Sequence, residues 1–457
     1  LNPITSFKAY DLRGRIPDEL NEEIAYAVGR GYAQFLSAKR VVVGRDIRLS
    51  SASLADALCR GLTESGVDVE DIGICGTEGV YFACFHGGYD GGIMVTASHN
   101  PADYNGMKFV REQSKPISGD TGLKQIRAFA EGGIFPVPAF KGTRRLVNID
   151  EAYVQHLVSY VDLRKLKPLK IVVNAGNGGA GLVIDKLEPL LPFRFVKIHH
   201  EPDGTFPNGI PNPMLVENRA TTVAAIRDSG ADFGIAWDGD FDRCFFFDER
   251  GGFIEGYYIV GLLASVLLRG RAGARVVHDP RLTWNTVEVV EQNGGVPVLS
   301  KSGHAFIKQK MREVDGIYGG EMSAHHYFRN FAYCDSGMIP WLIVAQIVSE
   351  SGKGLSTLVS ERIALFPVSG ELNYRVPDAK AAISAIERRY APQALRLDRT
   401  DGLSFEFPDW RFNLRSSNTE PLIRLNVEAR GSDSLMRAKT AEVLELLERH
   451  GAVSADH

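Results

Sequence analysis

The 457-residue chain reads as an α/β protein of three related α/β domains with mixed sheets, followed by a C-terminal α+β domain. Two observations predict this. A strand, helix, strand, helix, strand order recurs three times, and each time the last strand stops in a loop of reactive polar residues. From about residue 366 the pattern changes to antiparallel-type strands between two helices.

The first repeat starts with the apolar run 41–43 and a helix over 51–65. A strand at 67–72, a helix over 79–86 and a strand at 93–95 follow. It ends in Thr96-Ala97-Ser98-His99-Asn100-Pro101. The second has strands at 170–174, 193–198 and 233–237, with a Gly-rich turn and helix to about residue 190 and a helix over 219–229. It ends in Asp238-Gly239-Asp240-Phe241-Asp242-Arg243. The third has strands at 275–278, 296–299 and 317–318, with helices over 283–292 and 304–314, and ends in Glu321-Met322-Ser323-Ala324-His325-His326. The tail reads as a strand at 372–376, a helix over 378–389, strands near 404–407, 411–414 and 422–428, and a helix over 434–450. The loop Arg415-Ser416-Ser417-Asn418-Thr419-Glu420-Pro421 lies between its last two strands. Breaks at 132–142 and 248–252 favour separate domains over one long sheet, with expected limits 1–145, 146–248, 249–365 and 366–457.

Composition bounds the function. With 44% hydrophobic and 24% charged residues the chain has a soluble globular composition, and no apolar run is long enough to span a bilayer. Fifty-two basic against 56 acidic residues give a net charge of -4, which argues against the basic surface that nucleic-acid binding needs. Five scattered cysteines without Cys-x-x-Cys spacing read as reduced structural thiols. With no signal-peptide pattern at the start, the expectation is a cytoplasmic protein, and nothing in the sequence demands more than a monomer.

The loops carry the chemistry, because ligands of open α/β sheets bind beyond the carboxyl ends of strands. Ser98 is a possible nucleophile. Adjacent Ser98-His99 is not read as a hydrolase dyad, since neighbouring side chains diverge, and Asn105-Gly106 reads as a tight turn before Lys108. Asp238, Asp240 and Asp242 alternate, so three carboxylates can converge on one hard cation. An EF-hand would want glycine where Arg243 stands. An aspartyl-nucleophile phosphatase would want Thr or Val in place of Asp242. A solvated acidic turn would leave three carboxylates repelling one another. Arg243 suggests a phosphate nearby. The glycines of 176–181 match Gly-x-Gly-x-x-Gly, but the acids at Glu201 and Asp203 are badly placed for a nucleotide ribose, so the segment reads as a structural strand-to-helix turn.

Glu321 and Ser323 can pair with vicinal hydroxyls. Lys301-Ser302-Gly303-His304 opens a helix, where backbone N–H groups and an imidazole suit an anion or a proton transfer; a core histidine is the plainer alternative. Arg415 with its hydroxyl and amide neighbours, and Arg424 on the next strand, suit a phosphate ester. A Ser/Asn-rich hairpin loop is the plainer reading there.

Together these motifs, preceded by Ala9-Tyr10-Asp11-Leu12-Arg13-Gly14, resemble the α-D-phosphohexomutase superfamily and its bacterial phosphomannomutase/phosphoglucomutase branch over essentially the whole chain. The resemblance implies four domains around a central cleft, the last one mobile. It implies a phosphoserine at Ser98, Mg²⁺ held by Asp238, Asp240, Asp242 and the Ser98 phosphoryl group, and glucose 1,6-bisphosphate as intermediate and activator. It implies sugar recognition by Glu321 and Ser323, and phosphate binding by Arg415, Ser416, Asn418 and Thr419. Tyr10, Arg281, Lys301, Gly303, His325 and Arg424 complete the expected substrate contacts. Arg281 stands where the branch often has lysine. Gly320-Glu321-Met322-Ser323 resembles the mannose/glucose type rather than the Gly-Glu-Gln-Ser of glucosamine-specific members. The implied reaction moves phosphate between the 1 and 6 positions of hexose phosphates. Mg²⁺, Arg243 and Lys108 would balance charge, and Arg13, Lys108 and His304 are candidates for proton transfer and leaving-group charge. A Mg²⁺-dependent sugar-phosphate phosphatase and a silent sugar-phosphate sensor are the alternatives.

Overall fold

The computed structural model describes residues 3–416 and 422–455, and the chain divides into two compact units, Leu1–Phe253 with His325–Leu355 and Ile254–Ala324 with Ser356–His457.

The first unit opens with β1 (Leu12–Arg15), α1 (Glu22–Leu36), β2 (Arg40–Arg45), α2 (Ser51–Thr63), β3 (Asp68–Ile74), α3 (Thr77–His86), β4 (Gly91–Val95) and β5 (Tyr104–Arg111). The short β6 (Lys115–Pro116), α4 (Lys124–Gly132) and β7 (Arg144–Leu146) complete a sheet of order β1-β5-β4-β2-β3-β7. Asn21 caps α1 by accepting from Ile24 N, and Ala25, Val28 and Tyr32 face the core from it. β4 runs parallel to β2 and antiparallel to β5.

Asn105-Gly106 is not a turn. Both lie inside β5, with Gly106 opposite Arg13 of β1. A Cβ at Gly106 would strike the carbonyl of Leu12 and lie 2.8 Å from that of Thr96. The Asn105 side chain donates to Ser50 Oγ at 2.8 Å and Ser51 Oγ at 2.9 Å. Tertiary partners on both sides override the turn propensity of the dipeptide.

Next come α5 (Asp150–Val158), β8 (Lys170–Asn174), α6 (Ala180–Leu187), β9 (Arg194–Ile198), α7 (Ala220–Ser229), β10 (Phe233–Trp237) and β11 (Cys244–Phe247), in the sheet order β11-β10-β8-β9. β8 is parallel to β9 and β10, whereas β10 and β11 are antiparallel and pair Trp237 with Cys244. The aspartate loop is therefore the connection of a hairpin.

After β12 (Phe253–Ile254), the second unit contains α8 (Gly256–Leu267), β13 (Arg275–His278), α9 (Trp284–Gln292), β14 (Val296–Leu299), α10 (His304–Val314) and β15 (Tyr318–Gly320). β13 lies parallel to both β14 and β15. The chain then contributes β16 (His326–Phe328), the antiparallel β17 (Cys334–Asp335) and α11 (Ile339–Ser351) to the first unit. α12 (Leu355–Leu365) leads to the final layer. It holds β18 (Leu372–Arg375), α13 (Ala379–Tyr390), β19 (Arg396–Asp398), β20 (Leu403–Glu406), β21 (Trp410–Ser416), β22 (Leu422–Ala429), α14 (Asp433–Glu448) and β23 (Val453–Ser454), with sheet order β19-β20-β21-β22-β18-β23. Its core gathers Phe405, Phe412, Leu414, Leu425 and Val427 under Ile386 and Leu447. No helix among the described residues is long and apolar enough to cross a membrane.

Candidate active site

In the first unit, Ser98 follows β4 and takes a left-handed backbone with φ 50°, a conformation that costs a non-glycine residue energy and persists only where neighbours enforce it. Thr96 Oγ1 accepts from Ser98 N at 2.9 Å. Arg48, buried just after β2, clamps the loop from below. Its guanidinium donates to the carbonyls of Ser98 (3.0 Å), Asn100 (2.6 Å), Pro101 (2.7 Å) and Tyr104 (2.9 Å). Four carbonyls on one charged fork fix the path of the loop.

The hairpin loop 238–243 meets Ser98 directly: Ser98 Oγ donates to Asp238 Oδ2 at 3.0 Å. The approach requires glycine, since a Cβ at Gly239 would lie 2.7 Å from the Ser98 carbonyl and one at Gly178 would lie 2.8 Å from the Gly239 carbonyl. The 176–181 turn therefore serves as a seat for the aspartate loop. Asp238, Asp240 and Asp242 are buried, and one carboxylate oxygen from each lies within 4.8 Å of the others.

Cations answer these carboxylates. Lys108 Nζ on β5 donates to Asp240 Oδ2 at 2.7 Å and to Asp242 Oδ2 at 2.6 Å. Arg243 Nε donates to Asp238 Oδ2 at 2.8 Å. Thr77 Oγ1 donates to Asp240 Oδ2. Burial works against the charge on Lys108, and Asp240 and Asp242 together raise its pKa above the ordinary lysine value. Burial and the Asp240 charge push Asp242 up. Asp240 is held below its ordinary value, because Lys108 outweighs the burial that opposes ionisation. Asp240 Oδ1 is buried with no hydrogen-bond partner among the described residues. An all-oxygen donor set with an unused buried lone pair fits a hard divalent cation.

Arg13 on β1 is oriented by Asp11, at 2.7 Å from Nε, and by Asn100 Oδ1, at 2.6 Å from Nη1. Tyr10 is half-buried just before it. The side chains of Ser98 and His99 do not diverge. The left-handed turn brings Ser98 Oγ to 3.2 Å from His99 Nδ1, which also receives Arg243 Nη2 at 2.6 Å. Arg243 can only donate, so His99 Nδ1 accepts, and burial together with the Arg243 charge lowers the imidazole pKa well below its ordinary value. His325 belongs to this unit; its Nδ1 lies 3.1 Å from Asp335 Oδ2, and Asp242, His325 and Asp335 form a second set of converging donors.

The second unit holds the remaining residues. Arg281, just after β13, donates from Nη2 to Asp279 Oδ2 (2.8 Å), Glu321 Oε1 (3.3 Å) and Ser323 Oγ (3.2 Å), and from Nη1 to Glu371 Oε2 (3.3 Å). Arg411 holds the same loop by donating to the carbonyls of Pro280 (2.8 Å) and Arg281 (3.0 Å). Gly303 N, expected to face an anion from outside, donates instead to Glu321 Oε1 at 2.7 Å. The helix N-terminus is used to orient the glutamate. His304 Nδ1 lies 3.4 Å from Lys308 Nζ, and Lys301 Nζ sits 5.5 Å from the Phe306 ring centre. Arg415 and Arg424, opposite each other on β21 and β22, both reach Glu371. Ser416 is exposed at the end of β21; Asn418 and Thr419 lie outside the described residues.

Sequence reasoning missed Arg48, Thr77, His99, Asp335, Asp279, Arg411 and Glu371. Only His99 sits in a loop that the sequence already marked, and Asp279 stands two residues before Arg281. Asp46-x-Arg48 after the strand 41–43 was a further usable signal, at the same sheet end as Ser98.

A hydroxyl beside a carboxylate cage in one unit, and an arginine cluster with a buried glutamate in the other, suit an enzyme that transfers phosphoryl groups on a polyol. The family descriptions that match bear this out along nearly the whole chain. Phosphoglucomutase/phosphomannomutase alpha/beta/alpha domain I matches residues 5–135, domain II 151–252, domain III 255–366 and the C-terminal domain 371–446. A phosphomannomutase of Salmonella montevideo is 60% identical over 454 residues, covering 98% of this chain and 100% of that one. A protein of Xanthomonas campestris pv. campestris named for phosphohexose mutases is 60% identical over 444 residues, covering 97% and 99%. The crystal structure of a phosphoglucomutase/phosphomannomutase family protein from Burkholderia thailandensis superposes with a TM-score of 0.88 at 32% identity, covering 98% of each chain. The chain belongs to the phosphoglucomutase/phosphomannomutase family of the phosphohexomutase superfamily. The phosphatase reading finds no support, since these named relatives are mutases.

Proposed function

We propose that this chain interconverts the 1- and 6-phosphates of glucose and mannose by passing a phosphoryl group through Ser98. The observation that carries the reading is the contact of Ser98 Oγ with Asp238 inside the cage of three buried aspartates. In the first half-reaction the P–Oγ bond of phosphorylated Ser98 breaks as a bond forms from phosphorus to the free hydroxyl oxygen of the bound hexose monophosphate. The product is a 1,6-bisphosphate. After the sugar turns over, its other phosphate returns to Ser98 Oγ, and no phosphate is lost to water.

Mg²⁺ would be held by Asp238, Asp240 and Asp242 and, when bound, would withdraw charge from the transferring oxygens. The chain's own residues do the rest. Arg243 and Lys108 place positive charge beside Ser98, and Arg13, held by Asp11 and Asn100, points a third cation from β1. Arg13, Lys108 and His304 are the groups we assign to proton transfer and leaving-group charge. Glu321, oriented by Gly303 N, and Ser323 pair with the sugar hydroxyls, with Tyr10, Lys301 and His325 as further contacts. Arg281, Arg415, Ser416, Asn418, Thr419 and Arg424 bind the phosphate that is not being transferred. Four functional segments, 1–145, 146–248, 249–365 and 366–457, divide this work. We further read the protein as a cytoplasmic monomer, which light scattering tests.

The deciding experiment gives the purified protein glucose 1-phosphate, Mg²⁺ and a trace of glucose 1,6-bisphosphate, and follows glucose 6-phosphate and free phosphate separately. Conversion without phosphate release is expected; release without isomer would overturn the reading.

A further inference from the structure

The phosphate-binding arginines of the second unit are gathered around a carboxylate of the chain itself. Glu371, immediately before β18, receives Arg281 Nη1 and Arg415 Nη2 on Oε2, both at 3.3 Å, and has Arg424 Nη1 3.5 Å from Oε1. Its side chain is 7% exposed. These contacts are longer than the 2.8 Å pair between Arg281 and Asp279. One carboxylate shared by three guanidiniums cannot satisfy any of them bidentately, and charge-assisted N–H···O bonds prefer about 2.7–2.9 Å.

Donor capacity is left over. Arg281 Nε and Arg415 Nε are buried and have no acceptor among the described residues, on side chains only 3% and 7% exposed. Buried guanidinium N–H groups without acceptors are costly, so each of these two side chains is short of an acceptor oxygen at Nε. Arg415 shows the same shortage, since burial and the neighbouring Arg281 charge lower its pKa. A phosphate ester brings up to two negative charges and three acceptor oxygens, against one charge and two oxygens for the carboxylate.

The geometry points to Glu371 as an internal counter-anion that competes with the substrate's phosphate for Arg415 and Arg424. When phosphate arrives it takes these two arginines and Glu371 stays with Arg281. When phosphate leaves, the carboxylate re-pairs with them, so the arginines are never left bare. Competition of this kind holds phosphate affinity down. That suits a site which must let go of one phosphate of the bisphosphate so that the sugar can turn over between two half-reactions, and to that extent the inference rests on the mutase reading above.

The test is Glu371→Gln, which keeps shape and removes charge. Inorganic phosphate is titrated into wild type and variant by calorimetry, and kcat and KM are measured with glucose 1-phosphate on the same preparations. The expected result is phosphate binding tightened by about tenfold, the equivalent of about 1.4 kcal/mol of lost competition, with KM and kcat falling together as release slows. Phosphate binding that is unchanged or weaker in the folded variant overturns the proposal. Should Glu371→Gln not fold, Glu371→Asp, one methylene shorter, is expected to tighten phosphate in the same direction by less, and unchanged or weaker binding there overturns it equally. The titration needs no turnover. A wild type that does not isomerise glucose 1-phosphate removes the mutase reading, and the phosphate titration still decides the role of Glu371.

Discussion

In the first unit one lysine lies among three aspartates; in the second one glutamate lies among three arginines. Lys108 bonds Asp240 and Asp242 at 2.6–2.7 Å, whereas Glu371 meets its arginines at 3.3–3.5 Å. In the proposed function each cluster takes a ligand of the sign opposite to its majority, and each carries its own substitute for that ligand. The difference in distance shows how firmly the substitute is held. An ammonium is a compact point charge that fits between two carboxylates, while a single carboxylate cannot match three planar forks at once. Each unit also uses a buried arginine that donates to backbone carbonyls of its loop, Arg48 under Ser98 and Arg411 under Arg281, each anchored by a carboxylate of its own, Asp46 and Glu428. Charge for the ligand and rigidity for the loop come from different residues.

The largest effect should come from Ser98, the residue that the proposed mechanism makes the phosphoryl carrier. Ser98→Ala is expected to lower mutase turnover by about 10³-fold or more, the scale of losing a catalytic nucleophile, while phosphate still binds the arginine cluster with wild-type affinity. Initial rates and a phosphate titration on the same sample check both halves. Near-normal turnover in this variant would remove Ser98 from the mechanism.

Removing the substitute cation from the first cluster should come next. Lys108→Met leaves two of the three buried carboxylates, Asp240 and Asp242, without their ammonium, and breaking a buried ion pair costs about 3–5 kcal/mol. The melting temperature in chelator should fall sharply, and Mg²⁺ should restore a larger part of it than it adds to wild type. Equal Mg²⁺ increments in the two proteins would mean that lysine and metal do not answer the same charge. With Glu371→Gln, the pair of variants sharpens the comparison: each deletes the internal substitute and should favour the external ligand.

The reactive loops were legible because their chemistry is contiguous. Asp238, Asp240 and Asp242 alternate on one hairpin connection, and Ser98 and Glu321 each follow a strand. What escaped was whatever reaches a loop from elsewhere in the chain. Arg48 acts on Ser98 across 50 residues, Thr77 on Asp240 across 163, and Arg281 on Glu371 across 90. No local pattern announces such partners. The fold shows the same division. Strands 170–174, 233–237 and 275–278 stand where the apolar runs put them, but α8 and α11 were not marked. Both are apolar on nearly every side, and a helix buried all round shows no 3.6-residue period. α1 was missed although Asn21 and the spacing of Ala25, Val28 and Tyr32 mark it. Asn105-Gly106 failed for the opposite reason: a strong local turn signal lost to pairing on both sides.

The smallest expected effect concerns a third buried acid, whose hydrogen-bond donors are neutral. Glu78 on α3 accepts from Tyr153 Oη and from the backbone N–H groups of Gly337 (2.6 Å) and Met338 (3.2 Å), just beyond Asp335. Unlike the caged aspartates it has no ammonium beside it, and burial pushes its carboxyl up from 4.5 to about 8. Below pH 4.5 the proton is bound in folded and unfolded chains alike. Between 4.5 and 8 the folded chain keeps a proton that the unfolded chain has released, so the stability it confers is full below 4.5 and drains away as pH rises towards 8. Glu78→Gln removes that titration and keeps the shape, with the amide oxygen facing Gly337 and Met338 and the amide nitrogen facing Tyr153. Melting temperatures taken from pH 4.5 to 8.5 should show the variant gaining on wild type as pH rises, by about a few degrees at the alkaline end. Parallel curves would mean that the two backbone donors keep Glu78 ionised at neutral pH, so that a pair of N–H groups does for this carboxylate what Lys108 does for Asp240.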